Sequence, residues 1–264
     1  MITESPIITL TTDFGYQDYY VSALKANILN INRNVRLIDV SHSVPAQDIM
    51  AGAWVVKNSS FLYPQGTIHV CVIDPGVGTD RKPLLVEAGG HYFIGPDNGL
   101  FSLIAEDRPW KAWEISNPDL MASEVSGTFH GRDIFAPAAA HLSKGVKPEE
   151  FGSAVADIKT YRWAAPISDS QGIQGWVVHI DRYGNLITNI PKTLISNGTY
   201  SSLNIYAGTT KLKEIHHTYQ NVQTGDPLAL FGSSGMLEIS VNQGSAEELL
   251  NVHKGAPVSV VFQK

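Results

Sequence analysis

Two short segments of the chain hold a carboxylate, a guanidinium and an imidazole beside glycines. The first, residues 73–81, contains Asp74 and Arg81, and the second, residues 129–133, contains His130. Arginine keeps its proton at working pH and supplies a fixed positive charge, whereas histidine exchanges protons near neutrality. The three side chains together are suited to orienting a water molecule and holding a developing hydroxide.

The same residue types also occur in metal and phosphate sites. The chain has no His-Glu-x-x-His, His-x-His or cysteine cluster, so its spacing does not favour a metal-dependent hydrolase, which stays as an alternative hypothesis. Gly76 and Gly78 are not followed by the Gly-Lys-Ser/Thr of a phosphate loop, and the dinucleotide glycine pattern is incomplete. We therefore expect neither a metal nor another cofactor.

Three aspartates, Asp13, Asp39 and Asp74, lie at or within a residue of predicted strand ends. In open α/β sheets ligands collect beyond the carboxyl ends of the strands, so some of these aspartates are expected at one edge. The two oxygens of a carboxylate can accept hydrogen bonds from neighbouring ribose hydroxyls, which makes Asp13 the candidate for that role. His42 is another candidate, and turn or helix-cap roles are the alternative for each aspartate.

The elements that must position these residues alternate between strand-like and helix-like stretches. This alternation predicts an α/β domain, residues 1–160, with a largely parallel sheet covered by helices. The periodicity is lost across 161–174, which we interpret as a linker. Short apolar segments separated by Gly, Asn and Ser predict an all-β, barrel-like domain over 175–264. In the first domain, strands are predicted at 7–12, 35–40, 67–73, 84–88 and 91–95, and helices at 19–30, 46–61, 100–105 and 134–142.

Two polar turns of the second domain carry further candidates for ligand binding. In residues 181–189, Asn185 offers a donor and an acceptor to the edge of a heterocycle, Tyr183 can stack on it, and Asp181 can take an ammonium group. In residues 231–236, hydroxyls and exposed amides can hold a carboxylate. Ordinary turn chemistry is the alternative for both segments.

The composition argues against several classes of function. The net charge is −6, the isoelectric point is about 5.8 and no Lys/Arg cluster stands out, which argues against a nucleic-acid-binding protein. No apolar run approaches the roughly 18 residues of a membrane span, and residues 1–6 lack the pattern of a secretion signal, so we expect a cytoplasmic protein without a membrane partner. The single cysteine, Cys71, excludes a disulfide scaffold.

Several separated motifs recur in an order typical of one family. They are TDFG at 12–15, DPGVGT at 74–79, GPDNG at 95–99, FHGRD at 129–133, DRYGN at 181–185 and NQGSA at 242–246. Over essentially its full length the chain resembles the S-adenosyl-L-methionine (SAM) hydroxide adenosyltransferases, or SAM hydrolases, which are related to the SAM-dependent fluorinase and chlorinase. The resemblance implies an α/β domain followed by a β-barrel, and a homotrimer with active sites between neighbouring subunits.

The resemblance also implies a reaction. Water or hydroxide attacks the 5′-carbon of SAM and releases adenosine and L-methionine, with no cofactor or metal. The family's Asp/Arg/His set falls on Asp74, Arg81 and His130, and its ribose-binding aspartate on Asp13. The matching positions for adenine are Tyr183 and Asn185, and those for the methionine end are Asp18, Asp181 and Ser233.

The halogenating relatives differ from this chain in the nucleophile pocket. They carry a tyrosine in place of Asp74 and a serine in place of Gly131. A carboxylate beside the nucleophile repels a halide and favours an oriented water. Hydrolysis of SAM is therefore the leading hypothesis. A SAM-dependent, chlorinase-like halogenase and a non-catalytic SAM or adenosine-binding protein are the alternatives.

Overall fold

The computed structural model describes residues 5–161, 165–198 and 200–263. The chain divides into two compact units, residues 1–161 and 162–264. The strands of the first unit are β1 (Ile7–Thr12), β2 (Arg36–Ser41), β3 (Ile68–Val72), β4 (Pro83–Ala88), β5 (His91–Pro96), β6 (Trp110–Glu114) and β7 (Ala154–Val155). Its helices are α1 (Tyr20–Ile31), α2 (Ile49–Ser60), α3 (Ser102–Asp107) and α4 (Ala136–Ser143).

The sheet of the first unit is mixed, which corrects the expectation of a largely parallel sheet. Its seven strands run in the order β2-β1-β3-β5-β4-β6-β7. The pairs from β2 to β5 are parallel, and those from β5 to β7 are antiparallel. The direction reverses at the predicted hairpin between β4 and β5, where Gly89 and Gly90 both have positive φ, as such a tight turn requires. The unpredicted strands β6 and β7 extend this antiparallel half.

Apolar periodicity explains how the helices meet this sheet. In α1, Val21, Leu24 and Ile28 are buried on one face, as their spacing predicts. In α4 the buried residues are mostly alanines, which allow the helix to approach the sheet closely. Fully buried β3 lies between β1 and β5, so the residue that follows β3 is fixed in position by strands on both sides.

A chain of buried polar side chains crosses the middle of this sheet. The hydroxyl of Thr9 on β1 lies 2.7 Å from Nδ1 of His69 on β3, and Nε2 of His69 lies 3.1 Å from Nδ1 of His91 on β5. Burial, together with the neighbouring His91, lowers the pKa of His69 to about 3. Both histidines are therefore neutral at physiological pH, because burial also lowers the pKa of His91.

The second unit contains a nine-stranded sheet. Its strands are β8 (Ile167–Ser168), β9 (Gly172–Ile180), β10 (Leu186–Pro191), β11 (Ser202–Ala207), β12 (Thr210–Leu212), β13 (Ile215–His216), β14 (Pro227–Phe231), β15 (Met236–Val241) and β16 (Pro257–Gln263). The order is β12-β11-β16-β9-β10-β15-β14-β13, with β8 beside β9, and the two helices are α5 (Lys192–Ser196) and α6 (Ala246–Leu250). Among the described strands of the second unit, β13 and β14 alone pair in parallel.

Part of the stretch 161–174, which the sequence predicts as a linker, pairs with the sheet of the second unit. Strand β8 and the beginning of β9 lie within it, and residues 162–164 fall outside the described part of the chain. Gly172 begins β9 and pairs with Val261 in β16. A Cβ at Gly172 would lie 2.1 Å from the carbonyl oxygen of Val260, so the strand needs glycine for close approach. Across the described residues, no helix is long and apolar enough to cross a membrane.

Candidate active site

Asp74 and Arg81 form a buried, doubly hydrogen-bonded ion pair. Asp74 stands two residues beyond the end of β3, and Arg81 lies two residues before the start of β4. Arg81 Nε donates to Asp74 Oδ1 at 3.0 Å, and Arg81 Nη2 donates to Asp74 Oδ2. Only 8% of the arginine side chain and 5% of the aspartate side chain are exposed. A planar guanidinium matched to a carboxylate in this way fixes both side chains.

His130 completes the cluster that the two sequence segments predicted. Its Nδ1 lies 2.8 Å from Arg81 Nη2. Because arginine has donors and no acceptor, Arg81 donates this hydrogen bond and Nδ1 accepts it. The proton of the neutral imidazole is therefore on Nε2. The structure thus brings Asp74, Arg81 and His130 together, and Arg81 lies between the other two.

The surroundings keep His130 neutral. Burial lowers the pKa of His130, and the positive charge of Arg81 lowers it further. The carboxylates of Asp74 and Asp133 act in the opposite direction but do not outweigh these causes. With His130 neutral, the opposite charges of Arg81 and Asp74 leave the cluster with no formal net charge.

One nitrogen of Arg81 has no hydrogen-bond acceptor within the described residues. Arg81 Nη1 is buried, whereas Nε and Nη2 are both engaged. The guanidinium carbon also lies 5.4 Å from the centre of the Phe135 ring, which favours its positive charge. A buried donor left unpaired costs about 1–3 kcal/mol. Nη1 is therefore suited to donate to an oxygen of a bound molecule, such as water or hydroxide.

Glycines bring the two halves of the cluster close together. Gly78 has φ +78°, and a Cβ there would lie 2.2 Å from the carbonyl oxygen of Gly127. The loop that carries Arg81 therefore packs against the segment that leads to His130. A side chain at Gly78 would require both a strained backbone and a separation of these loops.

Arg132 and Asp133 act as the scaffold that their sequence position suggests. Arg132 Nε donates to Asp133 Oδ1 at 2.6 Å, and Asp133 Oδ2 accepts from the backbone N–H of Ser126 at 2.9 Å. The two residues lie in a π-helical turn, Gly131–Phe135, which precedes α4 and was not predicted. Such turns are frequent at functional sites. Here the turn begins directly after His130.

Asp13 follows β1 but does not cap the next helix. Its Oδ2 accepts a hydrogen bond of 2.7 Å from the backbone N–H of Gln47, and α1 has no side-chain cap. This hydrogen bond connects the end of β1 to the loop before α2, and it leaves the other carboxylate oxygen of Asp13, Oδ1, for a further hydrogen bond. Asp18 lies exposed in the loop before α1.

Asp39 and His42 belong to a separate network. Asp39 Oδ2 accepts from Lys25 Nζ at 2.7 Å, and Asp39 Oδ1 lies 3.1 Å from His42 Nε2. Burial raises the pKa of Asp39, but the hydrogen bonds from Lys25 and His42 outweigh it and lower that pKa overall. His42 Nδ1 also lies 2.7 Å from the hydroxyl of Thr12. These partners indicate a structural role for both residues.

The second unit contains a cavity of about 630 Å³ beside the turn at 181–185. Asp181, Tyr183 and Asn185, which the sequence singled out, all line it. Ser233 lies exposed in the turn between β14 and β15 and is not among the lining residues. The remaining lining residues are Thr218, Tyr219, Gln220, Val241, Asn242, Gln243 and Gly244.

Asp181 builds the turn that forms one wall of this cavity. Its Oδ1 accepts from the backbone N–H groups of Tyr183 at 2.8 Å and Asn185 at 3.0 Å. Its Oδ2 accepts from the side-chain amide of Asn185 at 2.9 Å. Asn185 is buried, whereas Tyr183 is 77% exposed and its ring is open to stacking. A Cβ at Gly184 would lie 2.1 Å from Ser245 Oγ, so the position between Tyr183 and Asn185 requires glycine.

Tyr219 is a cavity residue that the sequence reasoning missed. Its hydroxyl donates to Oε1 of the buried Glu238 at 2.8 Å, and Ser240 Oγ donates to the same oxygen at 2.8 Å. Burial and the Glu238 carboxylate raise the pKa of Tyr219. The available signal was a glutamate in the otherwise apolar strand β15, since a buried carboxylate requires donors.

The described residues contain no group of three or more His, Cys, Asp or Glu side chains placed to hold a metal ion. The candidate residues instead form two sites. One is the Asp74–Arg81 ion pair with neutral His130, and the other is the cavity of the second unit, which asparagine and glutamine side chains line. The α/β unit therefore carries a buried Asp-Arg-His cluster suited to holding a water or hydroxide, and the β unit carries a polar cavity suited to a small ligand.

Comparison with known proteins identifies the family. The SAM hydroxide adenosyltransferase N-terminal domain matches residues 8–152, and the C-terminal domain of the same family matches residues 175–259. The (R)-S-adenosyl-L-methionine hydrolase of Thermus thermophilus is 34% identical over 95% of this chain and 97% of its own length. The chain belongs to the SAM hydroxide adenosyltransferase family.

Two further similarities support this assignment. A crystal structure of an uncharacterized conserved protein from Thermotoga maritima superposes with a TM-score of 0.90 at 33% identity, covering 96% of this chain and 99% of the other. A fluorinase from Actinoplanes sp. is 27% identical over 97% of both chains. The relatives of this chain therefore include proteins named as hydrolases and, at lower identity, a protein named as a fluorinase.

Proposed function

We propose that the chain hydrolyses SAM at the 5′-carbon to give adenosine and L-methionine. The observation that carries this proposal is the buried cluster of Asp74, Arg81 and His130, in which Arg81 Nη1 is left to bind an oxygen. The hydrolase relative, similar over nearly the whole chain, supports the same substrate and the same reaction.

The reaction suits a site without a strong acid. A bond forms between the water oxygen and C5′ while the bond from C5′ to the sulfonium sulfur breaks. The electron pair of that bond stays on sulfur, which becomes a neutral thioether, and the water loses one proton. The leaving group therefore needs no proton, and catalysis depends on activating and aligning the water.

The hydrogen bonds suggest where the proton of the water goes. His130 Nδ1 has a single lone pair, which accepts from Arg81, and Nε2 already carries a proton. Each oxygen of Asp74 accepts one hydrogen bond from Arg81 and keeps a second lone pair. We therefore assign the proton to Asp74, while Arg81 Nη1 and His130 Nε2 act as donors to the developing hydroxide.

The cavity of the second unit is the proposed place for adenine. Asn185 supplies amide hydrogen bonds, and the exposed ring of Tyr183 supplies a stacking surface. Asp13 is proposed to bind the ribose through Oδ1, because Oδ2 is used by Gln47. Asp18 and Ser233 remain proposals for the methionine end of the substrate.

Assembly, location and domain structure are further proposals. The resemblance supports a homotrimer, which light scattering of the purified protein tests directly. We propose a cytoplasmic enzyme that needs no metal or other cofactor and has no nucleic-acid or membrane partner. We also propose an α/β catalytic domain at 1–160, a connection at 161–174 and a barrel-like domain at 175–264.

The decisive experiment is incubation of the purified protein with SAM, followed by chromatography. We expect equal amounts of adenosine and methionine, with activity abolished in Asp74→Asn but kept in Asp39→Asn, a matched change outside the cluster. EDTA should have no effect. Formation of 5′-chloro-5′-deoxyadenosine that depends on chloride would favour the halogenase, and tight binding of SAM without turnover would favour the binding protein.

A further inference from the structure

We propose that Asp181 is a positioning residue that fixes the orientation of the Asn185 amide, and that this orientation makes the cavity prefer 6-amino purines to 6-oxo purines. The proposal rests on the proposed function for the assignment of a purine to this cavity. It gives Asp181 a different task from the binding of a substrate ammonium group that the sequence suggested.

The orientation of Asn185 follows from chemistry that allows only one arrangement. Asp181 Oδ2 lies 2.9 Å from the amide nitrogen of Asn185. An ionised carboxylate has acceptors and no donor, so the NH₂ end of the amide must face it. The carboxylate of Asp181 therefore determines which end of the Asn185 amide is the nitrogen and which is the oxygen.

Asp181 is held in place by the turn that it organises. Its other oxygen, Oδ1, accepts two backbone N–H groups, those of Tyr183 and Asn185. The carboxylate therefore makes three hydrogen bonds within five residues of chain. Rotation of the Asn185 amide by half a turn would place its oxygen against Asp181 Oδ2, and repulsion between the two oxygens opposes that state.

The fixed amide determines what Asn185 offers to a ligand in the cavity. Asn185 lines the cavity, and its one side-chain hydrogen bond among the described residues uses a single N–H of the amide, which leaves Oδ1 and the second N–H for a ligand. An amide presented in this way, with one acceptor and one donor, matches the exocyclic amine and a ring nitrogen of adenine. A 6-oxo purine places an acceptor where the amide oxygen also accepts, so hypoxanthine is disfavoured.

Replacing Asp181 by asparagine should reverse the amide. In Asp181→Asn the side-chain oxygen can still accept the N–H groups of Tyr183 and Asn185, which preserves the turn. The other end of the new side chain becomes an NH₂ group, and Asn185 must turn its oxygen toward it. The NH₂ of Asn185 then faces the cavity, where it suits the oxygen of a 6-oxo purine.

The test is the ratio of the dissociation constants of adenosine and inosine, measured by calorimetry on the full chain. We expect the natural chain to bind adenosine about 5- to 150-fold more tightly than inosine, because a bidentate amide-to-base pair discriminates by about 1–3 kcal/mol. In Asp181→Asn the preference should fall by about tenfold or reverse. Asp181→Ser, whose hydroxyl can accept the turn N–H groups but leaves Asn185 free to rotate, should bring the ratio close to one.

Asp169→Asn is the matched control. Asp169 Oδ1 accepts from the backbone N–H groups of Gln171 and Gly172, the same arrangement as at Asp181, and Asp169 does not line the cavity. This variant should keep the natural ratio. A ratio that is unchanged in Asp181→Asn and Asp181→Ser, or equal weakening of both nucleosides, overturns the proposal. If the natural chain binds neither nucleoside, the assignment of adenine to this cavity fails as well.

Discussion

Acid should destabilise this protein through the buried histidine His69. A histidine whose pKa is about 3 in the folded chain has an ordinary pKa near 6.5 in the unfolded chain. As the pH falls below about 6.5, the unfolded chain takes up a proton that the folded chain refuses, so folding loses free energy. The slope approaches about 1.4 kcal/mol per pH unit between the two values, and the loss from pH 7.5 to pH 5 is about 2 kcal/mol.

Urea unfolding at a series of pH values measures this loss. In His69→Gln the titrating group is absent, so the free energy of unfolding should depend less on pH by about 2 kcal/mol over the same range. His253→Gln is the control, because it makes the same replacement at an exposed histidine. Equal slopes in the natural chain and in His69→Gln would show that His69 is not held neutral by burial. The effect bears on the candidate site, because His69 lies in β3, and Asp74 follows the end of that strand by two residues.

Three further predictions concern the site and its supporting loops. Arg81→Lys should lower kcat by about 10²- to 10³-fold, because lysine cannot hydrogen-bond to both Asp74 and a bound oxygen. Arg132→Lys is the control. Equal kcat values in the natural chain and in Arg81→Lys would contradict the role of Arg81. Gly78→Ala should lower the free energy of unfolding, measured by thermal unfolding, by more than about 1 kcal/mol, because backbone strain at positive φ adds to the overlap of the new Cβ with the carbonyl oxygen of Gly127. Gly15→Ala is the control, since Gly15 has φ +67° and open space around it, and this change should show the backbone strain alone. Tyr219→Phe should raise KM for SAM several-fold and leave kcat nearly unchanged, because the Tyr219–Glu238 hydrogen bond supports a wall of the cavity proposed for adenine and Tyr219 is not part of the Asp74, Arg81 and His130 cluster. A fall in kcat alone would contradict this assignment.

The cluster of Asp74, Arg81 and His130 was predictable because its signals are local. A short β-branched run ended by Asp-Pro-Gly identified the end of β3, and a known rule about sheet edges pointed to Asp74. Arg81 and His130 were recognised by residue type, and the structure places both beside Asp74. The resemblance then supplied the reaction that we propose for these residues.

Other features depend on partners that are distant in sequence. The antiparallel half of the first sheet arises because β6 and β7 add to the hairpin of β4 and β5, and no local pattern in those strands fixes their direction. The bond between Tyr219 and Glu238 joins two elements of the second unit, and a lone glutamate in an apolar strand does not name its donor. The role of Asp181 required knowledge of which end of the Asn185 amide it meets.

The central claim is that the cluster of Asp74, Arg81 and His130 directs water to the 5′-carbon of SAM. Hydrolysis in ¹⁸O-labelled water, with mass spectrometry of the products, tests this claim most directly. We predict that one ¹⁸O atom appears in adenosine and none in methionine, and that Asp74→Asn yields no labelled adenosine above the uncatalysed background. Label in an amino-acid product, or labelled adenosine formed equally fast by Asp74→Asn, would contradict the account.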